Sequence, residues 1–116
     1  MAGFGAALFP VCTVTIEAGV ADRVLSFRTP VPCQVIEMHS AGDAVDSTDK
    51  FAAILKQGAT TLLTGTTIVT PDVTVVDTAD QVFLGKDIDY SLTIDFSGTA
   101  ANVKGVLVTV WAQVHR

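Results

Sequence analysis

Positive charge is scarce in this 116-residue chain: seven Lys and Arg face twelve Asp and Glu, a formal net charge of −5. A surface with that balance is poorly suited to grip a phosphate backbone, so nucleic acid is not expected as a partner. Charge of either sign is sparse at 16%, while the hydrophobic fraction of 49% sets the chain apart from disordered sequences. Long apolar runs are lacking as well. The first twelve residues, MAGFGAALFPVC, have no basic flank, and their apolar run breaks at Pro10, far short of membrane thickness. No membrane partner is expected. Phe9-Pro10-Val11 are too bulky to precede a lipidated Cys12, so a soluble product without a secretion signal is expected.

Reactive side chains are equally few. Cys12 and Cys33 are the two cysteines, and they form neither a C-x-x-C pair nor a metal-ligand spacing. They either bridge adjacent strands or stay reduced and buried, and the reduced state is the expectation. His39 and His115 lie far apart, and no G-x-S-x-G nucleophile motif accompanies them, so each is read as a surface imidazole. Glutamate occurs only as Glu17 and Glu37, which does not suit the paired acids of a glycosidase. Neither enzymatic activity nor a cofactor is expected.

What the sequence has in abundance is period-2 alternation. Cys12, Val14 and Ile16 share one face of a strand over Val11–Glu17, and Leu25 and Phe27 point inward from the next. Cys33–His39 is read with Ile36 and Met38 on one face and Val35, Glu37 and His39 on the other. Pro30 and Pro32 force a bend or an edge between these strands. The small, acidic stretch 40–50 is the longest loop, and Phe51–Lys56 is too short for a stable helix, which favours a strand. Thr60–Thr64, Thr66–Val69 and Val73–Val76 are β-branched runs cut by Gly65 and Pro71.

The last third alternates most clearly. Ile88, Tyr90, Leu92, Ile94 and Phe96 line one face, and Val106, Val108, Val110, Ala112 and Val114 line another. Leu107 and Trp111 make this final strand apolar on both faces, as for a central strand or a subunit contact. No helical segment separates any two strands, which excludes a parallel α/β sheet. The expected fold is all-β: an antiparallel sandwich, jelly-roll-like, of about eight or nine short strands. It occupies residues 11–116 and follows an apolar arm over 1–10.

Three groups of residues stand out as candidate sites. Phe4, Leu8, Phe9 and Pro10 lie in the arm, where an apolar side chain needs either its own sandwich or a partner to cover it. Leu107, Thr109 and Trp111 offer a contact between copies, with Trp111 as anchor; alternatively Trp111 packs under Pro30–Pro32. Asp43, Asp46 and Asp49 recur in one loop. Oxygen-rich loops can hold calcium, but this spacing matches no calcium-loop pattern, and solvated turn residues are the simpler reading. A carbohydrate- or calcium-binding module of a fibre or cell surface is the alternative function.

One wider pattern joins these pieces. Phe51–Gly58, Thr60–Leu63, Ala79–Asp87 with its Gly-Lys-Asp, then the alternating Ile88–Phe96, Gly98 and Val106–Val110 follow one another in order. In this rhythm, over residues 11–114, the chain resembles the small β-sandwich decoration, or cement, proteins of tailed bacteriophage capsids. The resemblance implies a homotrimer on the virion surface that covers seams of the major capsid protein, made in the host cytoplasm. It also implies that Met1–Pro10 acts as the anchoring arm. The chain departs from the pattern in showing no second domain and no collagen-like spacer.

Overall fold

The computed structural model describes residues 7–115. Nine strands follow in order: β1 Phe9–Ala18, β2 Arg23–Phe27, β3 Cys33–Ala41, β4 Lys50–Gln57, β5 Thr60–Thr64, β6 Val75–Thr78, β7 Phe83–Leu84, β8 Tyr90–Ser97 and β9 Lys104–Val114. One sheet has the order β1-β9-β3-β6, with β7 also on β3, and the other has β2-β8-β4-β5. All pairings between these strands are antiparallel. The links β1–β2, β2–β3, β3–β4, β5–β6, β7–β8 and β8–β9 all pass from one sheet to the other. These orders define two interlocked Greek keys, a jelly roll in which the short β6 and β7 share the edge beside β3.

The alternating residues explain why the two sheets close on each other. From β9, Val106, Val108, Val110 and Ala112 point inward and are fully buried. Across the sandwich, Leu92 and Ile94 of β8 and Phe51, Ala53 and Leu55 of β4 are fully buried too, with Tyr90 nearly so. Cys12, Val14 and Ile16 close the core from β1. Burying each large aliphatic side chain contributes roughly 1.5–3 kcal/mol, and β-branched residues suit the pleated surface on which they sit.

Several expectations change in the folded chain. The arm is shorter than 1–10: Phe9 pairs with Ala112 and Pro10 with Trp111, so both belong to the sandwich. Proline is tolerated there because β1 is an edge strand, and the register shifts between Pro10 and Cys12. A second shift between Val35 and Glu37 inserts Ile36 as an extra residue in β3. This bulge resets the alternation, so Val35 and Met38 both face inward and Ile36 does not share the Met38 face. Thr66–Val69 is not a strand. It makes a single bridge from Ile68 to Phe51, which suffices to bury Ile68. Leu25 and Phe27 do lie on the inward side, opposite Leu92 and Tyr90, but β2 is an edge and leaves Leu25 exposed.

Cys12 and Cys33 are both free and buried. They sit on β1 and β3, which flank β9 rather than each other. Two strand spacings put them roughly 9–10 Å apart laterally, beyond disulfide reach. Burial pushes the Cys12 thiol up to about 11.

Two outcomes follow. Leu92→Ala should lower stability by about 2–5 kcal/mol by leaving a cavity, whereas Leu107→Ala on the outer face should change it by less than about 1 kcal/mol in chemical denaturation. Because Cys12 keeps its proton longer in the folded state, its contribution is present below the unfolded thiol value near ~8.5 and is lost as pH rises toward 11. Native protein at pH 8 should therefore resist alkylation at Cys12, with full labelling after denaturation; rapid native labelling would contradict the packing.

Candidate functional site

The residues that point away from the core on β9 are Leu107, Thr109, Trp111 and Gln113. The register places neighbours beside each of them. Trp111 lies between Pro10 and Glu37, Thr109 between Thr13 and His39, and Leu107 between Thr15 and Ala41. Beyond β3, Val76 of β6 continues the Thr13–Thr109–His39 row. This face mixes polar Thr13, Thr15, Thr109, Glu37 and His39 with the apolar side chains of Leu107, Trp111 and Val76. Leu107 is 48% exposed and Val76 47% exposed.

Trp111 packs here and not under Pro30–Pro32. Its indole lies 5.9 Å from the His39 ring, tilted by 49°. His39 Nε2 is 2.8 Å from Glu37 Oε1, so the carboxylate fixes how the imidazole faces the indole. The Trp111 N–H is buried and has no hydrogen-bond partner. A buried donor without an acceptor costs about 1–3 kcal/mol. His39, Ala41, Thr74, Leu107, Thr109 and Trp111 line a shallow depression of about 210 Å³. The chain thus brings Leu107, Thr109 and Trp111 together as expected of one strand face. His39, Glu37 and Val76 escaped sequence reasoning. His39 was expected as a surface imidazole, and the β3 bulge, which sets the parity of Glu37 and His39, has no marker in the sequence.

The aspartates of the long loop serve that loop. Asp46 Oδ1 accepts the N–H groups of Thr48 and Asp49, at 2.8 and 2.7 Å. These two bonds hold the Asp46 carboxyl below its ordinary range. Asp49 reaches across to the β8–β9 connection, accepting from Thr99 N at 2.7 Å and Asn102 Nδ2 at 3.1 Å. Asp43 lies against Gly105, whose φ of 65° and missing Cβ leave room for the carboxylate. Asp77 fastens the Thr66 turn in the same way, through Thr66 N and Oγ1. Asp46, Asp49 and Asp77 each accept hydrogen bonds from the chain, and among the described residues no three His, Cys, Asp or Glu gather as metal ligands. A more open hollow of about 490 Å³ lies between β1 and β2, lined by Thr15, Glu17, Arg23 and Lys104 among others.

Of the proposed arm residues, Phe4 lies outside the described residues, Leu8 is exposed just before β1, and Phe9 and Pro10 are strand residues. The chain matches no protein-family model, and comparison with curated proteins and with solved structures likewise gives no match. The likeness to capsid decoration proteins therefore rests on the sequence pattern alone.

Asp49→Ala should cost about 2 kcal/mol by releasing the bonds that tie the two loops together. For Asp46 the sign is that of a depressed carboxyl. Its contribution is present above the ordinary aspartate value near ~3.9 and is lost as pH falls through the lower folded value. Asp46→Asn removes that titration and should flatten the acid limb of the stability curve, measured by thermal melts between about pH 2.5 and 5.

Proposed function

We propose that this chain is a structural protein of the virion surface: a jelly roll that binds the outside of a phage capsid as a homotrimer and stabilises the shell. Copies meet through the outer face of β9, with Leu107 and Trp111 as anchors and Thr109 between them. Attachment to the major capsid protein uses the N-terminal segment, with Phe4 and Leu8 supplying apolar contacts. The protein is made in the host cytoplasm and acts on the particle.

The observation that carries this reading is the pair of large apolar side chains, Leu107 and Val76, left about half exposed on an outer sheet face that also holds Trp111. Aromatic anchors ringed by Thr and other small polar groups are typical of interface centres. Trimerisation makes each additional attachment effectively intramolecular, so weak single contacts add up on a repeating lattice.

A ligand-binding reading draws on the same depression, where Trp111, His39 and Thr109 combine an aromatic face with polar groups. Melting curves separate the two, since a ligand of the native state raises the transition by mass action. A shift with a glycan panel or with calcium favours the ligand module.

For the structural reading, native mass measurement should give a trimer, and co-sedimentation with undecorated shells should bring the protein into the pellet and raise particle resistance to heat. Leu107→Asp should yield monomers with an almost unchanged melting temperature, because the side chain already faces solvent. A wild-type monomer that stays in the supernatant defeats the proposal.

A further inference from the structure

Of the sheet edges, all but one are blunted against further pairing. β1 carries Pro10 with a register shift beside it, and β5 holds Leu62 as an extra residue opposite β4. β6 and β7 are four and two residues long, and Asp77 of β6 is engaged by the Thr66 turn. β2 has none of these devices. Arg23–Phe27 pair with β8 without a shift, and no proline lies among them. Among the described residues, no backbone hydrogen bond other than those to β8 involves this strand. An open hollow of about 490 Å³ separates the start of β2 from β1, so the other sheet does not cover it there. Val24 is 61% exposed and Leu25 39%, which leaves large apolar side chains on an uncovered edge.

We propose that β2 is a self-pairing edge: two copies of this chain meet β2 to β2, antiparallel about a two-fold axis, and join their β2-β8-β4-β5 sheets into one continuous sheet. The order of residues along the strand identifies the occupant as a second copy. An antiparallel pairing that uses every residue of β2 puts Leu25 on the axis against its own copy, Val24 against Ser26, and Arg23 against Phe27. The same register sets Asp22 beside Arg28 of the other copy, twice by symmetry, and no like charges face each other. Both side chains are exposed and have atoms to spare, since Arg28 uses Nε on Asp89 and Asp22 uses Oδ1 on Phe96 N. Cross-strand pairs of opposite charge and apolar pairs each favour such a ladder. An unrelated strand gains the backbone bonds alone, whereas a second copy supplies the matching charges as well. The contact is short, so it belongs with the weak interfaces that form as concentration rises. It lies apart from the outer face of β9 and does not rest on the shell-coating reading. Where both contacts form, β2 joins one β9-mediated assembly to the next.

The test uses the full chain in sedimentation velocity over a concentration series. Wild type should double in mass from its starting species as concentration rises, whether that species is a monomer or a trimer, and Leu107→Asp should double likewise. Arg28→Asp sets like charges across the contact and should weaken the doubling at least about tenfold. Asp22→Arg combined with Arg28→Asp restores opposite charges and should recover it. Cross-linking gives a second reading that does not depend on those charges. The thiol of Leu25→Cys lies on the axis within reach of its own copy, whereas that of Val24→Cys is two residues out of register with its own. Mild oxidation should therefore link the first variant into dimers and leave the second unlinked. A wild type of constant mass at every concentration overturns the proposal. So does an Arg28→Asp variant that associates as strongly as wild type, or linking of Val24→Cys in preference to Leu25→Cys. A wild type that doubles only from monomer to dimer and ignores shells removes the shell-coating reading and supports this one.

Discussion

Strand β9 must be apolar on its inner side along its whole length, and most other features of the molecule depend on that. It sits between β1 and β3, so it has no free edge, and its inward row Val106, Val108, Val110 and Ala112 is sealed from water. The opposing row comes from β8 and β4, whose Leu92, Ile94, Phe51 and Leu55 fill the space between the sheets. Burial of this kind is non-directional, so it brings the layers together without dictating which strand lies next to which. Order within each layer is set by backbone pairing and by the connections, and six of these cross the sandwich.

Those crossings need ends that hold their shape without a large core of their own. The aspartates supply this. Asp46 closes its own turn, Asp49 bridges to the β8–β9 connection, Asp22 caps the end of β8 through Phe96 N, and Asp77 fastens the Thr66 turn to β6. Gly98, with φ of 81° and a backbone pressed against Thr48, allows the close approach that the Asp49 bridge requires. The carboxylates that give the chain its net negative charge are thus in large part structural, and they make one end of the molecule acidic.

The outer face of β9 carries exposed apolar side chains of its own. There Leu107 and Trp111 lie with Thr109 beside the His39–Glu37 pair, and the buried Trp111 N–H has no partner.

Period-2 alternation in Cys12–Ile16, Tyr90–Ile94 and Val106–Ala112 determined by itself that the chain is an antiparallel sandwich, and it identified nearly all of the core in those strands, because a strand with one buried face must repeat every second residue. It also placed Leu107, Thr109 and Trp111 on a common outer face. Where alternation is interrupted, only the tertiary structure decided. The bulge at Ile36 reverses the faces of β3, and it alone puts Glu37 and His39 next to Trp111. Pairing with β9 drew Phe9 and Pro10 out of the arm and into β1. The strand orders β1-β9-β3-β6 and β2-β8-β4-β5, the separation of Cys12 from Cys33, and the bridge from Asp49 to the β8–β9 connection all depend on contacts between residues far apart in the chain. Local sequence has no way to encode these separately, since each arises from where the chain returns after crossing the core.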